Sequence, residues 1–136
     1  MITLTQIDKE DIDAVNTVLV DNKIKDDLTE GIIYVLRSRQ NIIGVGKVSI
    51  VESYGILKYI VVNETYRGSN YGESILRGLL FKCQSMGINK VYYHNYDIYL
   101  EKIGFKHNDS LKEEFPLILK INDFFNKSCY GEVYEI

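Results

Sequence analysis

The sequence predicts an α/β domain on a mixed sheet, antiparallel in its first half and with one parallel pair later. Two observations carry this. Residues 32–62 hold three β-rich runs, "IIYVLRS", "IIGVGKVSIVE" and "ILKYIVV", separated by breaks short enough to make them an antiparallel meander. After the third run, "NETYRGSNYG" leads into an amphipathic helix and then a new strand, "NKVYYH", an order that favours a parallel pair with a right-handed crossover.

The elements follow in order. "ITLTQI" alternates apolar and polar residues and reads as a first strand. Asp8 is a suitable cap for a helix whose apolar positions are Ile12, Val15, Val18 and Leu19, with Glu10 and Asp11 at the positive end of its dipole. "DNKIKDDLTEG" is polar and reads as a short helix or a loop. The meander comes next, its first turn at "RQN" and its second break at "SYG". Its last strand, apolar at nearly every position, is expected to lie centrally with both faces covered.

From Gly72 the apolar period becomes helical: Ile75, Leu76, Leu79, Leu80 and Cys83 form one face, and Glu73 and Arg77 form an i,i+4 pair. Gly87 suits the helix end. A further helix is expected over about 96–102, stopping at Gly104, followed by an extended "FKH" and a last clear strand at "PLILKI". The tail "NDFFNKSCYGEVYEI" reads as a short helix and an edge strand, or as a segment that orders on a partner.

Composition narrows the function classes. The 136 residues are most simply one domain, residues 1–136, large enough to bury a core without staples. A net charge of −3 offers no basic surplus for a nucleic-acid backbone. The absence of a leader-like start and of any long apolar run argues against a membrane and for a cytoplasmic protein. Two cysteines, Cys83 and Cys129, have no CxxC spacing and no histidine cluster beside them, so neither a zinc site nor a disulfide framework is indicated.

The chemistry concentrates at "YRGSNYGES". It lacks the spacing and the lysine of a Walker A loop, and "GVGKVS" lies inside a strand pattern without the helix of a dinucleotide fingerprint. What remains is a strand, a glycine-containing loop and a helix start. Backbone N–H groups from about Gly68 to Glu73 would converge there, an arrangement that binds a pyrophosphate, with Arg67 able to add a charged contact.

Arg67, Gly68, Ser69, Asn70, Tyr71 and Gly72 together resemble the cofactor motif of the GNAT superfamily of N-acetyltransferases, and the strand ending in "VV" resembles that family's fourth strand. "YLEKIGF", Tyr99 to Phe105, is similar to the family's second signature, and "TLTQIDKEDIDAV" to its first strand and helix. The resemblance covers roughly residues 1–108. It implies a GNAT fold: a mixed, mostly antiparallel seven-stranded sheet with a splayed parallel pair, flanked by about four helices.

The resemblance further implies acetyl-CoA as cosubstrate, lying in the splay between the fourth and fifth strands. Its pantetheine would pair with the backbone of Ile60, Val61 and Val62, and its pyrophosphate would sit on the amides of Arg67 to Glu73. A backbone N–H near Val62 would polarise the thioester carbonyl, and Asn95 would hold the cofactor or a water. Tyr99 is the leading candidate for the acid that protonates the leaving thiolate, and it is also counted with the cofactor-binding residues. His94 and Glu52 are the candidate bases.

Two positions depart from the family pattern. Asn70 replaces the first motif glycine, and asparagine is the non-glycine residue that best tolerates left-handed backbone. Leu100 stands where the family's tyrosine usually does, and Tyr99 is one residue earlier, a rotation of roughly 100° on a helix. The implied function is acetyl transfer to a primary amine of a small molecule or peptide, possible dimerisation included and no metal required. The other readings are a CoA-binding sensor without transfer, and an interaction domain that binds no cofactor.

Overall fold

The computed structural model describes residues 2–109 and 114–126. β1 (Ile2–Gln6) leads to a 3-10 turn at Lys9–Asp11 and then to α1 (Ile12–Asp21). β2 (Ile32–Ser38), β3 (Asn41–Val51) and β4 (Tyr54–Val62) form the meander. α2 (Tyr71–Ser85) crosses to β5 (Lys90–Tyr93), and α3 (Ile98–Ile103), β6 (Lys106–His107) and β7 (Leu117–Lys120) follow. Residues 121–126 are helical and are called α4.

The seven strands form one open sheet in the order β1-β2-β3-β4-β5-β7-β6. Its single parallel contact is β4 with β5; every other pair is antiparallel. That contact is very short. Only Gly55 with Val91 and Ile56 with Tyr92 are in register, so β4 runs on to Val62 with no strand of the described residues on its β5 side.

Each face of the sheet has its own core. On one face Ile75, Leu76, Leu79 and Leu80 of α2 pack with Val48, Leu57, Val91 and Leu119. On the other, Val15, Val18 and Leu19 of α1 meet Val35, Val45 and Val61. Gly46 of "GVGKVS" has a packing role: a Cβ there would lie 2.5 Å from Ile75 and 3.0 Å from Leu79, so its absence seats α2 on β3.

Several boundaries differ from the sequence reading. Asp8 caps the 3-10 turn in place of α1 itself; its carboxylate accepts from Lys9 N–H at 2.7 Å, and Asp11 returns the bond to Asp8 N–H at 2.9 Å. Residues 24–30 form a loop, one of the two readings the sequence left open. β4 begins at Tyr54, because the hairpin turns at Glu52 and Ser53 rather than at "SYG". α3 begins at Ile98, where Asp97 accepts from Leu100 N–H at 2.9 Å and sets the start two residues late. Of the tail, residues 127–136 lie outside the described residues, Cys129 and the expected edge strand among them.

Candidate active site

The site is built where β4 hands over to α2. After Val62 the chain makes a 3-10 turn at Glu64–Tyr66, then "RGSN", then the helix. Asn70 is the residue that turns the chain into α2, at φ 63 and ψ 22, a left-handed conformation that asparagine adopts at less cost than other side chains. Gly68 also has positive φ, +92, with nothing within 4 Å of where its Cβ would be.

This geometry sets which amides are available. The Arg67 N–H donates to Glu64 O at 3.2 Å and Ser74 N–H to Asn70 O at 3.2 Å. Between them lie the amides of Gly68 to Glu73, the last of them in the first turn of α2, where N–H groups have no acceptor within the helix. The expected amide cradle is therefore one residue shorter than Arg67 to Glu73.

The edge of β4 can be read in the same way. Asn63 N–H bonds to Ile43 O at 2.8 Å, so Asn63 faces β3. Peptide groups alternate sides along an antiparallel ladder. Val61, opposite Val45, is thus committed to β3, while Ile60 and Val62 present their peptide groups to the open side. A bulge precedes them: Lys47 is opposite Tyr59 and Val48 opposite Leu57, which leaves Lys58 as the extra, exposed residue.

Arg67 braces this edge from within. Its Nε donates to Val62 O at 2.8 Å and its Nη2 to Asn22 Oδ1 at 3.0 Å, tying the loop to β4 and to the end of α1. In this arrangement its guanidinium is bonded to protein atoms instead of serving as a free phosphate contact.

Open edge and loop enclose a cleft of about 350 Å³. Ile60, Val62, Tyr66 and Tyr71 supply its apolar walls, and Tyr99 closes one side. The one-residue displacement has a direct explanation in the fold. Leu100 is 4% exposed and belongs to the core, so its neighbour Tyr99 projects to the cleft at 45% exposure. The Tyr99 hydroxyl sits over the start of α2, only 2.4 Å from where a Cβ on Gly72 would be. Burial, and then the charge of Glu73, raise its pKa; the Glu73 amide acts the other way, and Asp97 adds a smaller upward push.

The other expected residues are not in the cleft. His94 follows the end of β5, exposed, its ring 4.7 Å from that of Tyr93. Asn95, also exposed, adjoins it and does not line the cleft. Glu52 lies in the β3–β4 turn with φ 53, at the opposite end of β4 from the loop. Cys83 is fully buried in the α2 core with its thiol pushed up to about 11, a packing group.

Some residues near the site escaped the sequence reading. Tyr66 lines the cleft and Asn22 anchors Arg67. Beside the bulge, buried Lys47 bonds to Asp26 at 2.8 Å and Glu30 at 3.0 Å, and the Tyr59 hydroxyl donates to Asp26 at 2.7 Å. A lysine in the middle of the apolar run "GVGKVSIV" was the one available sign that a carboxylate had to come to it.

The sequence pattern of the Acetyltransferase (GNAT) family matches residues 4–105, most of the chain. The chain belongs to that family. The GNAT fold recurs in an acetyltransferase of the GNAT family from Staphylococcus aureus Mu50, with a TM-score of 0.72 at 16% identity over 89% of this chain and 99% of that one. It recurs in the PaiA N-acetyltransferase of Thermoplasma acidophilum in complex with coenzyme A, with a TM-score of 0.71 at 13% identity over 88% and 99%. N-acetylglutamate synthase from Neisseria gonorrhoeae, complexed with coenzyme A and N-acetyl-glutamate, gives a TM-score of 0.74 at 15% identity, over 89% of this chain and 35% of its own. No curated protein sequence matches. Among the described residues no helix of this GNAT chain is long and apolar enough to cross a membrane.

Proposed function

We propose that this GNAT protein transfers an acetyl group from acetyl-CoA to a primary amine by direct attack within a ternary complex. Acetyl-CoA is the cosubstrate that family membership brings. The observation that carries the reading is the open edge of β4, with no strand of the described residues on its β5 side beyond Ile56, running straight to the amides at the start of α2.

The residues present fit that cosubstrate. The amides of Gly68 to Glu73 and the positive end of the α2 dipole suit a pyrophosphate, and the open space at Gly68 gives it room. Ile60 and Val62 offer a strand edge to an extended amide-bearing chain. Because Arg67 occupies Val62 O, the Val62 N–H is the more available group of that peptide, in keeping with its proposed oxyanion-stabilising role.

In the reaction the amine nitrogen forms a bond to the thioester carbonyl carbon, the carbon–sulfur bond breaks, and the ammonium proton must leave beforehand. Tyr99, its pKa raised, holds its proton at neutral pH and donates it to the departing thiolate. Of the two proposed bases, His94 stands at the splayed end of β5 and Glu52 at the far end of β4. The base role accordingly rests on His94 acting through water.

Two measurements on the wild-type protein test the reading: thermal stabilisation by acetyl-CoA, and release of free thiol with a panel of amines. Stabilisation together with amine-dependent thiol release is expected. No stabilisation at millimolar acetyl-CoA would sink it, and stabilisation without thiol release would turn the protein into a CoA-binding sensor.

A further inference from the structure

Asn22 stands at the end of α1, where the chain leaves the helix through Lys23 in a left-handed conformation, φ 61. Two backbone bonds close that turn: Lys23 N–H donates to Val20 O at 3.0 Å and Ile24 N–H to Leu19 O at 2.9 Å. The side chain of Asn22 is fixed as well. Its Nδ2 donates to Val18 O at 2.8 Å, which decides the orientation of the amide and presents Oδ1 to Arg67, whose Nη2 donates to it at 3.0 Å. Arg67 lines the same cleft as Gly68, Asn70 and Gly72, one residue before the amides that suit a pyrophosphate. Its two acceptors, Val62 O and Asn22 Oδ1, are both neutral, so neither bond cancels its charge.

We infer that Asn22 is a positioning residue: it holds Arg67 on the outward carbonyl at the end of β4 and off the pyrophosphate, bracing the cofactor edge while weakening the grip on acetyl-CoA. The inference rests on acetyl-CoA as the cosubstrate, and its kinetic half on the acetyl-transfer reading. A guanidinium released from Asn22 gains pyrophosphate oxygens as acceptors, and Val62 loses its brace. Tighter binding and slower transfer then follow from one substitution, the reverse of what general damage to the fold produces. An acidic side chain at the same place has the opposite effect on binding. In Asn22→Asp the carboxylate keeps Arg67 in position and cancels its charge, so affinity falls while the brace survives.

Calorimetry with acetyl-CoA tests this without catalysis. Asn22→Ala is expected to bind about threefold more tightly than wild type and Asn22→Asp about threefold more weakly, the scale of one exposed ion pair. Added salt should weaken binding more steeply in Asn22→Ala than in wild type. In an Arg67→Met background, Asn22→Ala should leave affinity unchanged, because Asn22 acts through the guanidinium. With an amine that supports thiol release, kcat should fall about fivefold in Asn22→Ala and stay within about twofold of wild type in Asn22→Asp. In wild type itself, the NMR coupling across the hydrogen bond from Arg67 Nε–H to Val62 O should persist with acetyl-CoA bound, a readout that needs no variant to fold. Weaker binding by Asn22→Ala, affinity shifts of the same sign in both variants, an unchanged kcat in Asn22→Ala, or loss of that coupling on binding would overturn the inference. Thiol release keeps the two readings apart. Opposite affinity shifts with no release from any amine leave the role of Asn22 and remove transfer; release with shifts of the same sign leaves transfer and removes the role of Asn22. Absence of acetyl-CoA binding to wild type removes both.

Discussion

Gly72 and Tyr99 form one device at the residue scale. With a Cβ placed 2.4 Å from the Tyr99 hydroxyl, Gly72→Ala must push the phenol off the start of α2. Acetyl-CoA affinity is expected to fall at least tenfold by calorimetry, with the fold intact. Tyr99→Phe keeps the ring and removes the proton. It should leave the acetyl-CoA dissociation constant within about threefold and lower kcat by roughly a hundredfold, the usual scale of general-acid catalysis. The pH dependence has a definite sign. An acid with a raised pKa works while protonated, so in wild type this step is lost only as pH rises beyond the ordinary tyrosine value of about 10. The phenylalanine variant should lack that alkaline limb. Asn70→Gly relieves a left-handed asparagine worth roughly 1 kcal/mol and opens the cradle. Tighter acetyl-CoA binding is expected, and unchanged or weaker affinity would show that the asparagine is an accommodated part of the loop.

At the scale of elements, two ion-pair systems fix what surrounds the site. Arg37 of β2 holds Asp11 with contacts of 2.8 and 2.6 Å, anchoring the start of α1. The hydrogen bond from Arg37 keeps the Asp11 pKa below its ordinary value, against the opposing effect of burial. A depressed carboxylate stabilises the fold above its unfolded pKa, about 3.9, and that contribution is lost as pH falls through the lower folded value. Asp11→Asn should therefore cost about 2 kcal/mol at pH 7 in a denaturant titration, with the gap to wild type closing toward pH 2. Lys47 is the second system. Burial pulls its pKa down, yet the bonds to Asp26 and Glu30 outweigh burial and leave the ammonium above its usual range. Lys47→Met strands those carboxylates and is expected to cost about 3 kcal/mol. The strands, α2 and the turn into it were legible because local patterning sets them: period two, then helical period, then glycine and asparagine where the backbone turns left-handed. The β4 bulge, the Lys47 cluster and Arg67's turn toward Asn22 were not legible. Each is decided by partners 9 to 45 positions away in sequence, which no local period records.

For the whole molecule, the mixed sheet and its parallel pair followed from element order alone, and the splay followed from the family resemblance. The extent of the splay did not: two paired residues, then six of β4 with no strand beside them on that side among the described residues, is a property of the assembled sheet. Hydrogen–deuterium exchange with and without acetyl-CoA tests the central claim, that the cofactor lies along the open edge of β4 with its pyrophosphate on the start of α2. Slowed exchange confined to Lys58–Val62 and Gly68–Glu73 is expected. Unchanged exchange in both stretches when acetyl-CoA is bound would contradict the account.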